Sequence, residues 1–328
     1  MIRLVQRVGF TVSDLDPVLA FYTQVLPFEI IKDYEVLSEP CEKLTGVFGA
    51  RMRVVTLGLG YEQIQLTQFI APPGGRAIPP DSRSNDLWFQ HLAIVVSDMD
   101  TAYATLREHN VQHVSTAPQT LPAYITAAAG IRAFYFRDPD GHNLELIWFP
   151  QGKGSPRWQS KNRLFLGIDH TAIAIAHTEH SLKFYRDMLG LSIVGESENF
   201  GTEQEHLNMV YGAHLRITGL KAPEGGMGIE FLNYLSPPGG RPISVDTRPH
   251  DLWHWQMTML VPDAQAAYTQ FRATGVAVIS DGVVTLPDGE KAFLVRDPDG
   301  HAAKIVELKG IPHDKSGTTL KGENHEQV

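Results

Sequence analysis

The chain has a single cysteine, Cys41, among its 328 residues, and it has fewer basic than acidic side chains. One cysteine excludes a disulfide within the chain and is compatible with a reducing compartment. Its 28 lysines and arginines stand against 37 aspartates and glutamates, which gives a net charge of −9. This balance argues against a nucleic-acid-binding surface, because such a surface needs clustered cations on a basic domain.

Apolar stretches of the length that crosses a membrane are also missing. No apolar run approaches the roughly 18 residues that span a bilayer. The first residues, 1–7, lack the apolar segment of a signal peptide. We therefore expect a soluble, cytoplasmic protein without a membrane or nucleic-acid partner.

What the chain does contain is enough apolar sequence for two domains of ordinary size. Hydrophobic residues make up 43% and charged residues 20%, which is typical of globular proteins. A polar stretch at residues 151–163 predicts a linker between the halves. We place one domain at residues 1–152, a second at 165–308 and a polar tail at 309–328.

The two halves repeat one another in sequence. The hexapeptide Arg-Asp-Pro-Asp-Gly-His occupies residues 137–142 and 296–301, and Pro-Pro-Gly-Gly-Arg occupies residues 72–76 and 237–241. Asp-Leu-Trp at residues 86–88 returns at 251–253. Such internal repeats indicate a tandem duplication and have to be recognised before the fold is assigned.

Each half divides again into two modules, which begin near Arg7, His91, His170 and Gln256 and are called modules one to four. Each opens with a short apolar segment that predicts a buried strand. A helix-start signal follows, at Ser13, Ser97, Thr178 and Asp263. Further strand patterns end each module, including a hairpin around each Asp-Pro-Asp-Gly turn. The sequence thus predicts an α+β fold of four βαβββ modules.

Three segments give these modules a family resemblance: residues 137–146, 170–173 and 184–191. Over about residues 3–308 the chain resembles the vicinal oxygen chelate superfamily, which includes glyoxalase I, bleomycin-resistance proteins and extradiol ring-cleaving dioxygenases. The resemblance implies that modules pair to form two half-open β-barrels. It also implies that each module offers up to two metal ligands, one from its first strand and one from its last.

The resemblance assigns eight positions to these ligand sites. Gln65 aligns with Glu230 through the Pro-Pro-Gly-Gly-Arg repeat, and Lys304 aligns with Glu145 through the Asp-Pro-Asp-Gly-His repeat. From module one to module four, the pairs of positions are Arg7 and Gln65, His91 and Glu145, His170 and Glu230, and Gln256 and Lys304.

The pairing of modules decides whether these positions make a metal site. Sequential pairing places a cation, Arg7 or Lys304, in each barrel, which disfavours a metal ion there. Crossed pairing of modules two and three collects His91, Glu145, His170 and Glu230 in one barrel, and leaves Arg7, Gln65, Gln256 and Lys304 in the other. We favour the crossed pairing, which is similar to that of fused glyoxalase I chains.

Two imidazoles and two carboxylates suit one divalent Ni, Co, Fe, Mn or Zn ion more than Ca or Mg. Four protein ligands leave about two positions on an octahedral ion for a substrate with two adjacent oxygens. A single buried His or Glu would more often be a hydrogen-bonded core residue, but four aligned positions favour a site. His142 and His301 lie in turns that both halves share, so we interpret them as turn structure.

The resemblance implies a metal-dependent lyase or isomerase similar to glyoxalase I, in which the metal stabilises an enediolate. Glu145 or Glu230 would move the proton. The alternative is an Fe(II) extradiol dioxygenase, which usually needs two histidines and one carboxylate. A third reading is a resistance-type binding protein, which needs no metal. Since all four ligands come from one chain, we expect an active monomer, or a homodimer through surface contacts.

Overall fold

A computed structural model describes residues 1–238 and 240–309. The predicted polar tail therefore lies outside the described residues, except for Lys309. Module one forms these elements in order: β1 (Leu4–Val12), α1 (Leu15–Ala20) with a π-helical turn (Phe21–Val25), β2 (Glu29–Leu37), α2 (Glu39–Thr45), β3 (Arg51–Leu59) and β4 (Glu62–Ala71). Module two forms these: β5 (Gln90–Val96), α3 (Met99–Glu108), β6 (Gln112–His113), β7 (Gln119–Thr120), β8 (Arg132–Arg137) and β9 (Asn143–Trp148).

The linker contains one short 3₁₀ helix, Pro156–Gln159. Module three forms these elements: β10 (Phe165–Ile175), α4 (Thr178–Leu182) with a π-helical turn (Lys183–Met188), β11 (Ser192–Phe200), α5 (Thr202–Asn208), β12 (His214–Ala222) and β13 (Gly225–Ser236). Module four forms these: β14 (Trp255–Val261), α6 (Ala264–Thr274), β15 (Val284–Thr285), β16 (Lys291–Arg296) and β17 (Ala302–Glu307).

The modules depart from one uniform βαβββ pattern in two ways. Modules one and three insert a second helix, α2 or α5, between their second and third strands. In modules two and four the strand that follows the main helix shrinks to two-residue pieces, β6, β7 and β15. The predicted α+β fold by tandem duplication is confirmed, with alternating long and short versions of the module.

Three of the four helix-start signals fall one residue away from the observed N-cap. Asp14 and Asp98 cap α1 and α3 through their carboxylates, which accept backbone N–H groups that the helix leaves unpaired. Ser13, predicted as a cap, instead donates its hydroxyl to Asp140. His177 holds the cap position before α4, where Thr178 was expected, and only Asp263 caps α6 as predicted.

Strand pairing between modules is crossed, as predicted from the ligand pattern. β1 runs antiparallel to β14, with Gly9 opposite Gln256, so modules one and four share a sheet. β5 runs antiparallel to β10, with Ala93 opposite His170, so modules two and three share the other. Each sheet therefore draws on both sides of the linker, and the boundaries at residues 152 and 165 remain predictions.

Helices and sheets meet in an apolar core of mainly aliphatic side chains, which also encloses aromatic rings. Tyr22 and Tyr185, in the π-helical turns that follow α1 and α4, are fully buried. Their hydroxyls donate to Asp138 and Asp297, the first aspartates of the two Asp-Pro-Asp-Gly turns. Buried polar groups need such partners, so the turns serve the core.

The turn histidines connect modules rather than bind metal. The Nε2 atom of His142 lies 2.8 Å from the carbonyl oxygen of Leu252, and its Nδ1 atom lies 2.9 Å from Asp138. In the other half, His301 Nε2 lies 2.9 Å from the carbonyl oxygen of Ala174. These contacts support the interpretation of both histidines as turn structure.

The arginine of each Pro-Pro-Gly-Gly-Arg connector forms ion pairs with carboxylates of the other half of the chain. Arg76 pairs with Asp246 and Asp251, while Arg241 pairs with Asp81 and Asp86. Sequence analysis of the repeat cannot tell such exchanged partners from partners within one connector. The exchange holds the crossed arrangement in place, because each arginine reaches a carboxylate that is almost fully buried in the other half.

This contact makes Gly75→Ala a test of the crossed arrangement. A Cβ atom at Gly75 would lie 1.6 Å from the carbonyl oxygen of His250, so one backbone must move. We expect the free energy of unfolding to fall by at least about 2 kcal/mol, as overpacked sites do. Denaturant unfolding measures it. Gly195→Ala is the control, since no atom lies within 4 Å of a Cβ at that position; equal stability of the two variants would contradict the exchanged connectors.

Candidate metal centre

Four neighbouring strands place the predicted ligands on one face of the second sheet. Ala93 on β5 lies in register with His170 on β10 and with Glu145 on β9. Ala172 on β10 lies in register with His91 on β5 and with Glu230 on β13. The two halves of the site are thus related by an approximate twofold axis. The fully buried alanines beneath it leave room for the four longer side chains.

The four side chains meet closely. His91 Nε2 lies 3.1 Å from Glu145 Oε2, and His170 Nε2 lies 3.6 Å from the same oxygen. The more distant Glu230 Oε1 is 3.8 Å from His170 Nε2. Ligand atoms of His91, Glu145 and His170 all lie within 4.8 Å of one another. The structure brings all four predicted residues together, as a tight triad with Glu230 at its edge.

Several buried nitrogens of this cluster make no hydrogen bond of good geometry among the described residues, although His91 Nε2 lies 3.1 Å from Glu145. They are Nδ1 and Nε2 of His91 and Nε2 of His170. Buried polar atoms are seldom left unpaired, because the loss of water then goes uncompensated. Imidazole nitrogens that converge with a carboxylate are the donors that first-row divalent metals prefer. The residues present therefore fit a divalent metal ion.

Burial and charge act in opposite directions on the ionisable groups. Burial lowers the pKa of His91, more than the neighbouring Glu145 raises it. For His170 burial also lowers the pKa, but the carboxylates of Glu230, Asp169 and Glu145 together raise it to about 9. Burial raises the pKa of Glu230 to about 7, although His170 opposes the change. The cluster thus holds more carboxylate charge than its histidines balance, which favours a cation.

Asp169 is a functional candidate that sequence analysis missed. Its Oδ2 atom lies 3.0 Å from His170 Nδ1, and its Oδ1 atom accepts a 2.7 Å hydrogen bond from the indole of Trp158 in the linker. A carboxylate on the far ring nitrogen fixes the tautomer of a ligand histidine and directs Nε2 at the metal. Its repeat partner before His91 is Gln90, which instead donates to Thr171, so the repeat carried no signal.

We expect Asp169→Asn to lower metal affinity by about 10- to 100-fold while the fold is kept. The amide keeps the shape of the side chain but cannot supply the negative charge that orients and strengthens the imidazole. Titration of the metal-free protein with each candidate metal measures the effect. Asp140→Asn, in a turn outside the cluster, is the control. Unchanged affinity in Asp169→Asn would remove Asp169 from the site.

A cavity of about 310 Å³ adjoins the cluster on the side of His170 and Glu230. Apolar side chains such as Phe149 and Ile217 form part of its wall, and Glu196 also lines it. On the other side, the ring of Tyr135 packs 4.8 Å from that of His91. A small molecule would therefore reach the cluster past Glu230, through a cavity that combines an apolar wall with charged groups such as Glu196 and Lys221.

The first sheet repeats this geometry with different chemistry. Gln256 lies opposite Gly9 and Arg7 opposite Thr258, which are the register positions that His91 and His170 hold in the other sheet. Gln65 and Lys304 stand where Glu230 and Glu145 do. In the part of the chain that the structure describes, the triad His91, Glu145 and His170 is the one group of potential ligands close enough to hold a metal.

The comparison with known families agrees with this architecture. Residues 4–146 and 167–305 match the Glyoxalase/Bleomycin resistance protein/Dioxygenase superfamily. The chain belongs to this superfamily. The resemblance inferred from sequence is thereby confirmed. No helix among the described residues is long and apolar enough to cross a membrane.

Individual relatives place the chain within the superfamily's fold. It is 34% identical over 154 residues to a 2-epi-5-epi-valiolone epimerase from an Actinomyces species, a match that covers 45% of this chain and 80% of the epimerase. Glyoxalase I from Zea mays superposes with a TM-score of 0.62 at 17% identity, over 94% of this chain and 92% of the maize enzyme. A Bacillus subtilis protein described as a dioxygenase gives 0.59 at 14% identity, over 96% and 89%. The two solved structures show a shared fold.

Proposed function

We propose that the chain is a divalent-metal-dependent isomerase, epimerase or lyase. It would move a proton at a carbon next to a carbonyl group in a small substrate with two adjacent oxygens. The observation that carries the proposal is the arrangement of the cluster. His91, Glu145 and His170 converge on one point, and Glu230 stands between that point and a cavity.

The cluster divides into holding and reacting parts. His91, Glu145 and His170 would hold the ion, and Asp169 would fix the His170 ring through its Nδ1 atom. When bound, a divalent ion would hold the two substrate oxygens and stabilise the negative charge that develops on them. Ni, Co, Fe, Mn and Zn are all compatible with this donor set.

Glu230 is the group best placed to move the proton. Its side chain is 27% exposed, against 6% for Glu145, and it lines the cavity. Glu145 is enclosed between the two histidines and has no such access. A carboxylate at the border of a mostly apolar cavity can accept a proton from a substrate carbon and return it. Of the two glutamates that sequence analysis left open as the base, we propose Glu230.

The relatives favour proton transfer as the shared chemistry. An epimerase inverts one centre, which a proton leaving and returning on opposite faces achieves. A glyoxalase-type isomerisation returns the proton to the neighbouring carbon. Both need a base beside an ion that stabilises the same developing charge, and the inversion also needs a proton donor, a second side chain or water, on the opposite face of the substrate. The choice between these outcomes depends on the substrate.

A second candidate function is Fe(II)-dependent ring cleavage with O₂. The favouring observation is the tight triad itself, since two histidines and one carboxylate form the ligand set of non-haem Fe(II) oxygenases. Glu230 would then be unbound. The resistance-type binding reading predicts neither metal dependence nor turnover.

Deuterium uptake from solvent separates these functions without knowledge of the product. The protein is loaded with each candidate metal and incubated in D₂O with open-chain and cyclic α-hydroxyketones. We expect metal-dependent deuterium at the carbon next to the carbonyl, without O₂ consumption. O₂ uptake with catechols that requires Fe(II), with no deuterium exchange, would support the dioxygenase instead. Tight binding of one of these compounds, without deuterium exchange or O₂ uptake, would support the binding protein.

A further inference from the structure

The barrel of modules one and four contains a second cavity, which the proposed function does not use. Its volume is about 380 Å³. Arg7, Gln65 and Lys304 line it, and these are the positions whose counterparts carry the metal ligands in the other barrel. The cavity thus occupies the position in its barrel that the candidate metal centre occupies in the other barrel. It contains the cations Arg7 and Lys304 at the positions of His170 and Glu145.

The cations in this cavity are poorly matched by the protein. Lys304 is only 6% exposed, and the single carboxylate within ion-pair distance among the described residues is Glu290, at 3.7 Å. That distance is too long for a hydrogen bond. The Nε atom of Arg7 is buried and has no hydrogen-bond partner among the described residues. Burial, followed by the charge of Arg7, lowers the pKa of Lys304.

The remaining charged groups of the cavity are more exposed. Lys32, Glu35 and Asp288 are exposed residues of its lining, and Glu35 already pairs with Arg51. Glu35 and Asp288 therefore belong to the rim, whereas Lys304 and Gln65 are buried and Glu290, with 18% of its side chain exposed, lies between them and the rim. Isolated buried cations lower the stability of the folded state, because they lose their hydration. If these cations bound nothing, apolar side chains at the same positions would make the protein more stable.

We propose that this cavity binds a small organic anion. Its carboxylate or phosphate group would lie between Arg7 and Lys304 and accept a hydrogen bond from the amide of Gln65. Tyr34, Val36 and Leu286 would contact its apolar part, because they form the apolar wall of the same cavity. The volume exceeds what an inorganic ion fills, which favours an organic body attached to the acid group.

Calorimetric titration of the full chain in a phosphate-free buffer tests this with three probes of similar shape: benzoate, phenyl phosphate and benzamide. We expect at least one of the two anions to bind about 10- to 100-fold more tightly than neutral benzamide, as hydrogen bonds to charged groups allow. The preferred anion distinguishes a carboxylate site from a phosphate site. Binding of benzamide as tight as that of both anions, or no binding of either anion, would overturn the proposal.

Variants locate the binding. Lys304→Met and Arg7→Gln are each expected to weaken anion binding about tenfold or more, while the rim variant Lys32→Gln changes it less than about threefold. Anion binding that Lys304→Met and Arg7→Gln leave unchanged would place it elsewhere, for example at the metal centre, and overturn the proposal.

A stability measurement keeps Lys304→Met interpretable. If Lys304 is present for a ligand, its replacement by an apolar residue should leave the unfolding midpoint unchanged or raise it in the absence of anion. The alternative is a structural ion pair with Glu290. A lowered midpoint in Lys304→Met, together with unchanged anion binding in Arg7→Gln, would support that alternative and refute the anion site.

Discussion

The Glu230→Gln variant is expected to retain its metal and to lose turnover by about 10²- to 10⁴-fold, the usual contribution of a positioned acid or base. Glutamine keeps an oxygen near His170 but cannot accept the proton. The triad of His91, Glu145 and His170 stays intact in this variant. Metal analysis and the rate of deuterium uptake, measured on the same preparation, separate the two effects.

Glu196→Gln is the matched control for that variant. Glu196 also lines the cavity, but its carboxylate pairs with Arg216 and does not reach the cluster. We expect its rate to stay within about threefold of the unchanged protein, since an exposed ion pair contributes little. Full activity in Glu230→Gln would exclude Glu230 as the base. Loss of metal in the Glu230→Gln variant would instead make Glu230 a required ligand.

Glu145→Gln is expected to lose the metal itself. Its carboxylate lies within 3.6 Å of both histidines and is the only charged member of the triad when the imidazoles are neutral. Loss of a hydrogen-bonding partner of a metal ligand lowers metal affinity about 10- to 100-fold. Loss of the ligand Glu145 itself should lower metal affinity by more than that. Unfolding midpoints with and without metal measure the loss, because a ligand at 100 times its Kd adds about 2.7 kcal/mol of stability.

Gln65→Ala and Gln256→Ala are the controls in the other barrel. Gln65 lines the cavity of Arg7 and Lys304, and Gln256 lines a smaller cavity that also contains Gln65 and Lys304. We therefore expect changes in stability rather than in metal content or rate. Metal loss confined to these two variants, or a metal-bound and fully active Glu145→Gln protein, would show that the active site lies in the barrel of modules one and four.

Much of the fold could be predicted because the chain repeats itself. Aligned repeats identified the four modules, and the changes from His91 to Gln256 and from Glu145 to Lys304 indicated crossed pairing. The alternation of side chains along strands then placed the candidate ligands on one face. Ala93 and Ala172 beneath the cluster follow from the same alternation.

Other features depend on contacts between distant segments, which a repeat does not encode. Asp169 contacts His170 and accepts a hydrogen bond from Trp158. Trp158 lies in the linker, which has no repeated copy. Exchanged partners such as Arg76 with Asp251 have the same sequence pattern as partners within one connector. The sequence did not predict helix α2, because the segment Glu39–Thr45 is short, directly follows a strand and shows no clear apolar period.

The most direct test of the metal centre is the metal content per chain of the purified protein beside that of His91→Ala. His91 is fully buried, and its unpaired nitrogens lie in the cluster. We predict one divalent transition-metal ion per chain, with activity that follows its removal and return, and none in His91→Ala. A metal-free chain that turns over at the full rate, or a His91→Ala variant that keeps the ion, would contradict the proposed centre.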